Sequence, residues 1–345
     1  MSDPTSVCLN QTRKLGLLIR KLNPFADDFL DTNFFPNSED DSEDVARFFF
    51  FTTSIDHRTS PPGQSFEGLV NGHYFQGADL LWHLSLQKYH QNPSFFAPSH
   101  MADMTTSLTR KWFTLSKPSR VTIRNPAERA KLLKDCGQQL IRKYDGSVLV
   151  LLNQAHHRLT PSSDGTNPGI LSMLSQFKAY EDPAKKKSLL LLKFLLRRQL
   201  WTIEDSNQLH IPVDNHLIRI ALRTGIITIS PTLAEKLKRQ QPISIIEDIA
   251  LRRVVADAFS LVAHHASRFI LELDDFLWHF GRQCCLAKSP TCTHYAGSCT
   301  KECYVAEQLL PASCSRVCPL SEACLASTEV SRISLVEPKV KTWYY

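Results

Sequence analysis

Hydrophobic and polar positions along this chain recur with helical spacing far more often than with the two-residue alternation of strands. The clearest case is "NPAERAKLLKDCGQQLIRKYDG", with Asn125 as N-cap, Pro126 at the first helical position and Glu128 in the first turn. Leu132, Leu133, Cys136, Leu140 and Ile141 then form one apolar stripe that stops near Gly146. "PISIIEDIALRRVVADAFSLVAHHA" opens with a capping box, Ser244 to Glu247, and spaces Ile246, Ile249, Ala250 and Val254 like a buried face. "ELDDFLWHFGRQ" predicts another helix, capped by Asp274 or Asp275. "VARFFFFTTSIDHR" reads as a buried strand or short helix, and the acidic run "SEDDSED" before it as a solvated loop. "RLTPSSDGTNPG" has the turn chemistry of an exposed loop that divides an N-terminal subdomain from the rest. With no internal repeat and no dinucleotide-type glycine pattern, the predicted class is mainly α.

Composition narrows the setting. The 345 residues are 43% hydrophobic, enough to fill a core. A net charge of +6 suits a phosphorylated or polyanionic ligand but falls short of a dedicated nucleic-acid binder. The first 25 residues lack the regions of a signal peptide. The greasiest segment, "SLLLLKFLL", is half of the roughly 18 apolar residues that a membrane span needs. These features predict an intracellular protein, cytoplasmic or nuclear, with no membrane partner. Eight of the ten cysteines fall between Cys284 and Cys324, and in a reducing compartment that clustering points to a metal centre before disulfides.

The cysteines have a pattern. "GRQCCLAKSPTC" puts six residues between Cys285 and Cys292, and "CPLSEAC" puts five between Cys318 and Cys324. Short spacers of this kind keep thiolates within reach of one compact centre. Together the two segments resemble the 4Fe–4S loop of the endonuclease III branch of helix-hairpin-helix DNA glycosylases. Gly281, Arg282, Cys285, Ala287, Pro290, Cys292, Cys318 and Cys324 occupy its motif positions. The resemblance implies a DNA-glycosylase-like helical fold with a C-terminal cysteine-rich cluster loop, and a 4Fe–4S cluster held by Cys285, Cys292, Cys318 and Cys324. Zinc bound by another four of these thiols is the alternative. That family places two residues between its second and third cysteines; here 25 intervene, residues 293–317, and they carry Cys299, Cys303 and Cys314. Closure entropy grows only logarithmically with loop length, so the four-ligand site survives the insertion. Cys284 reads as a bystander.

"HIPVDNHLIRIALRTGII" is the candidate catalytic segment. Pro212 stiffens the entry, Asp214 is suited to cap the helix, and Leu217, Ile218, Ala221 and Leu222 form its buried stripe, while Asn215, Arg219 and Arg223 are its polar positions. It resembles the V-D-x-H-x-x-R-V/I segment of the same superfamily through Val213, Asp214, His216, Arg219 and Ile220, which implies that Asp214 is the catalytic carboxylate. N-glycosidic cleavage develops positive charge on the sugar, and a carboxylate beside C1′ stabilises it and positions the attacking water. Capping the helix is the other role that an aspartate at this position fills. DNA glycosylases also place a glycine-rich hairpin upstream to bind a DNA phosphate, yet residues 187–214 contain no glycine. Lys185, Lys186, Lys187 and Lys193 lie nearby, but none stands where a lyase lysine is expected. "AKKK" reads as a solvated face, and Trp82, Trp201 and Trp278 as core positions.

A second resemblance covers more of the chain. "FFFFTTSIDHR", "FEGLVNGHYFQGADLLWHL", "AERAKLLKDCGQQLIRKYDGSVL", "PVDNHLIRIALRTGIITIS" and the final "WYY" are similar to the queuosine salvage family, queuosine 5′-phosphate N-glycosidases on a glycosylase-related helical fold. It implies Asp214 again as the carboxylate, with Asp56, His57 and Arg219 at the ligand. That family carries no cysteine loop. The expected layout is an N-terminal helix and acidic loop (1–44), an N-terminal helical subdomain (45–157), a glycosylase-like domain (169–283), a cysteine-rich loop (284–326) and a tail (327–345). The expected activity is that of a hydrolase acting on the N-glycosidic bond of a modified nucleoside or nucleotide. An iron–sulfur DNA repair glycosylase, with DNA or RNA as partner, is the alternative. A catalytically inactive nucleotide- or nucleic-acid-binding protein is the alternative of another class.

Overall fold

The computed structural model describes residues 5–22, 32, 34–116, 119–293 and 318–345. Cys299, Cys303 and Cys314, with nearly all of the insertion, lie outside the described residues. The chain is mainly α and forms two compact units. The terminal unit joins Met1–Ala26 to His210–Thr342, and the central unit joins Asp27–Leu209 to Trp343–Tyr345.

The terminal unit starts with β1 (Thr5–Val7) and α1 (Leu9–Arg20). The central unit then builds α2 (Ser42–Ser54), the hairpin β2 (Glu67–Val70) and β3 (His73–Gln76), α3 (Ala78–Gln91), α4 (Pro98–Ala102) and α5 (Thr106–Trp112). The small pair β4 (Thr114–Leu115) and β5 (Val121–Thr122) leads to α6 (Pro126–Tyr144), α7 (Val148–Gln154), α8 (Ile170–Leu174) and α9 (Lys186–Arg197).

The "FFFF" segment resolves as helix α2, apolar on every side as a central core helix must be. Phe48, Phe49, Phe50 and Phe51 are all fully buried, and Phe49 stacks on Phe194 of α9 at 5.0 Å. The acidic run is only partly loop. Asp41 accepts hydrogen bonds from the Glu43 and Asp44 amides, so the last three acidic-run residues are the first turn of α2, where carboxylates meet the positive end of the helix dipole. In α6, Asn125 is left-handed (φ 50°) and makes no side-chain cap; Pro126 supplies the start. Leu132, Leu133, Cys136 and Leu140 are buried as predicted, but Ile141 is 46% exposed because the stripe has rotated past it. Residues 158–169 form a loop inside the central unit, tied down by Asp205, which accepts from the Leu159 and Thr160 amides.

The terminal unit resumes with α10 (Asn215–Thr224), β6 (Ile227–Ile229), α11 (Pro231–Lys238), α12 (Ile245–Ala266) and α13 (Ile270–Gln283). β6 pairs antiparallel with β1, Thr5 opposite Ile229. The Ser244–Glu247 capping box of α12 is formed as predicted. Its buried face is not the predicted one: Leu251, Val255, Phe259 and Val262 are fully buried, while Ile246 is 76% exposed. The core face carries a buried ion pair, Asp248 with Arg252 at 2.9 Å, whose polar letters broke the apolar pattern. In α13 the cap position is Phe269, with no side-chain hydrogen bond, and Asp274 lies buried within the helix, so neither aspartate caps it. No helix among the described residues is long and apolar enough to cross a membrane.

Candidate functional site

In the terminal unit the chemistry converges on α10. Asp214 is its N-cap: Oδ1 accepts from the Leu217 amide at 2.9 Å, and Oδ2 stands 2.8 Å from His216 Nδ1. The Asp214 side chain is 17% exposed and His216 31%, so the pair is partly accessible. Arg252 brackets it from α12, donating to the Val213 carbonyl and to Asn215 Oδ1, both at 2.8 Å. Close packing sets the position of His216: a Cβ placed on Gly281 would lie 2.6 Å from the His216 Cβ. The predicted stripe of α10 is buried, and so are its arginines. Arg219 donates to the carbonyls of Cys285 (2.7 Å) and Gly281 (2.8 Å) and pairs with Glu337 at 2.5 Å. The guanidinium is thereby engaged within the protein.

The four cysteines of the predicted ligand set line one cavity, together with Arg223 and Phe280. Its volume is about 20 Å³. Cys285 and Cys318 are buried, Cys324 is half-buried and Cys292 is exposed. Burial raises the Cys318 thiol well above its ordinary range and pushes Cys324 up to about 11, with the neighbouring thiols adding to both. Arg223 donates to Cys285 Sγ at 3.4 Å, and Cys324 Sγ donates to the Arg223 carbonyl at 3.5 Å. Cys284, read as a bystander, also lines the cavity. Among the described residues, no three His, Cys, Asp or Glu side chains are grouped so as to hold a single metal ion.

Asp56 and His57 lie in the central unit, just past the C-terminus of α2. Asp56 accepts from Trp82 Nε1 at 3.1 Å. His57 is 3% exposed, with Nε2 3.0 Å from Glu128 and Nδ1 3.1 Å from Lys187 Nζ. Lys187 also donates to the Ser54 carbonyl at 2.7 Å, and Arg129 donates to the His57 carbonyl. Burial, reinforced by Lys187 and Arg129, holds the His57 pKa well below its usual value. A neutral ring that accepts at Nδ1 carries its proton on Nε2 and donates it to Glu128. Burial likewise depresses Lys187, then Lys186 and Arg129 add to it, and it pushes Arg129 down to about 10. The "AKKK" run is therefore not a solvated face, since Lys186 and Lys187 are both buried. At the start of α9, Asp182 accepts from the Ala184 and Lys186 amides and from the Tyr345 hydroxyl, which ties the terminal "WYY" to this unit. Of the three tryptophans expected in the core, Trp201 is buried, while Trp82 and Trp278 are half-buried.

A family model described as queuosine salvage protein matches residues 48–294, which contain Asp56, His57, Lys187, Asp214 and the first two cysteines of the predicted ligand set, Cys285 and Cys292. The chain belongs to the queuosine salvage protein family. Among curated proteins, none matches it. The queuosine salvage region ends before Cys318 and Cys324, so half of the cysteine set lies outside the part that resembles the family. Arg252, Arg129, Glu128 and Lys187 are the residues that sequence reasoning left without a role. Only Arg252 carried a usable signal, the i, i+4 spacing from Asp248.

Proposed function

We propose that this protein hydrolyses the N-glycosidic bond of a queuosine-type nucleotide or nucleoside, with Asp214 as the carboxylate at the reacting sugar. Membership of the queuosine salvage family supports a nucleoside or nucleotide ligand and a salvage role. The observation that supports the catalytic assignment is the placement of Asp214, one oxygen held by the Leu217 amide and the other beside His216, with the side chain 17% exposed. As the bond from C1′ to the base breaks, the sugar gains positive charge, which the carboxylate stabilises. Water adds its hydroxyl to C1′ as the bond to the base breaks, Asp214 orients the water and takes its proton, and that proton passes through solvent to the departing base nitrogen, giving free base and free sugar with Asp214 again ionised. His216 holds Asp214 in register. Arg252 fixes the backbone on either side of it.

In the central unit, Asp56 is buried and accepts from Trp82 Nε1, and both ring nitrogens of His57 are engaged within the protein. The cysteine-lined cavity favours one further reading, an iron–sulfur DNA glycosylase, whereas the glycine-free stretch 187–214 opposes it. A base-release screen tests the assignment: queuosine 5′-phosphate, queuosine and oligonucleotides with damaged bases are compared under one set of conditions. Release from the small substrates supports salvage hydrolysis, and release only from oligonucleotides replaces it with repair. Binding without release from any substrate sinks the enzyme assignment.

A further inference from the structure

The queuosine salvage match stops at residue 294, yet the fold brings cysteines from both sides of the insertion to one cavity. We propose that Cys285, Cys292, Cys318 and Cys324 hold a polynuclear iron–sulfur centre, 4Fe–4S in type, and that this centre fastens helix α10 to the C-terminal segment.

Three observations carry the assignment. First, four thiols from two segments separated by 25 residues line a single cavity, walled otherwise largely by apolar groups such as Phe280 and Leu320. Thiolates are the ligands that soft metals and iron–sulfur centres take. Second, the thiols surround a space and do not close on a point. A structural zinc needs four sulfurs at about 2.3 Å from one ion, and no three candidate ligands among the described residues are grouped to hold one ion. Four thiols spaced around one cavity, with no three of them grouped on a point, instead suit a centre of several metal atoms, each taking one thiolate. Third, the surrounding protein is braced for a fixed loop. Arg223 donates to the carbonyls of Leu286 (2.6 Å), Ala287 (2.8 Å) and Ile333 (2.7 Å), and Arg219 holds the Cys285 carbonyl.

Those contacts also give the centre its purpose. Helix α10 is pinned near its N-terminus by Gly281 against His216, and at its end by Gly225 (φ 79°), where a Cβ would fall 2.3 Å from Leu325, the residue after Cys324. When bound, the centre supplies a covalent cross-link between the segment that follows Gly281 and the segment that precedes Leu325. Residues flanking the ligand loops thus grip both ends of the helix that begins at Asp214. The centre is a fastening, and the proposed hydrolysis needs no electron from it.

The test uses the full chain purified without oxygen. The expected result is a brown protein with about four iron and about four sulfide per chain, as a 4Fe–4S centre requires. Cys292→Ser, the mildest change because that thiol is exposed, and Cys324→Ser should each lose most of the iron, whereas Cys284→Ser keeps it. Hydrogen exchange of α10 and of residues 285–287 should quicken at least tenfold in Cys292→Ser while the central unit is unchanged. A colourless protein with one zinc, or with no metal, overturns the iron–sulfur assignment. Full iron in Cys292→Ser or Cys324→Ser, or loss of iron in Cys284→Ser, overturns the ligand set. Iron lost without faster exchange in α10 overturns the fastening role. Each readout is independent of base release, so failure here is distinguishable from failure of the hydrolase assignment.

Discussion

Arg252 and Asp248 form an ion pair at 2.9 Å with side-chain exposures of 1% and 0%, in the core of the terminal unit. The pair matters because Arg252 reaches past Asp248 to Val213 and Asn215, the two neighbours of Asp214. One guanidinium fork serves three acceptors, a geometry that an ammonium group does not reproduce.

Arg252→Lys is therefore expected to keep the buried charge pair but release the backbone around Asp214. Misplacement of a catalytic group by about 1 Å costs up to about 100-fold in rate, so kcat should fall by roughly 10- to 100-fold with KM nearly unchanged. Arg252→Met leaves Asp248 as an unpaired buried charge and should cost about 3–5 kcal/mol in denaturant unfolding. Steady-state kinetics with urea titration of both variants checks the pair.

Gly281→Ala forces a methyl group into the His216 contact, and overpacking of this kind costs about 1–3 kcal/mol. Activity should fall along with stability, because His216 is displaced from Asp214. Gly225→Ala adds left-handed strain at the end of α10 and meets Leu325, and should destabilise by at least about 1 kcal/mol. Thermal melts of the two variants, with base release alongside, would show whether activity follows the His216 contact or stability alone.

The buried, neutral His57 makes stability depend on pH with a defined sign. Its folded pKa lies below the ordinary value of 6.5, so above that pH neither state binds the proton and its contribution is complete. As pH falls below about 6.5, the unfolded chain takes up a proton that the folded ring refuses, and stability drops with a slope approaching about 1.4 kcal/mol per pH unit. In His57→Gln this component of the slope should vanish even though the variant is less stable throughout. Urea unfolding of both proteins between about pH 7 and about pH 5 measures the two slopes.

What was legible in the sequence follows from how local each signal is. The Ser244 capping box, Pro126 at the start of α6 and Asp214 at the start of α10 depend on residues within one turn, and each is formed. The buried face of α12 differs from the one its apolar pattern predicts because a core-facing Asp248–Arg252 pair looks polar in one dimension. Lys187 and His57 meet across 130 residues, and no local pattern announces that a lysine run will be drawn into a core. The cysteine spacing singled out four thiols; that both pairs line one cavity depends on α10 and its arginines, contacts more than 60 residues apart in sequence.

The hydrolase assignment stands most directly on one comparison: release of free base from queuosine 5′-phosphate by the wild-type chain and by Asp214→Asn. Asparagine caps a helix as well as aspartate, so the variant should melt within about 1 kcal/mol of wild type. Base release by the wild-type protein, reduced by about 100-fold or more in Asp214→Asn, is the predicted result. Equal release by the two proteins, or none by the wild type, would contradict it.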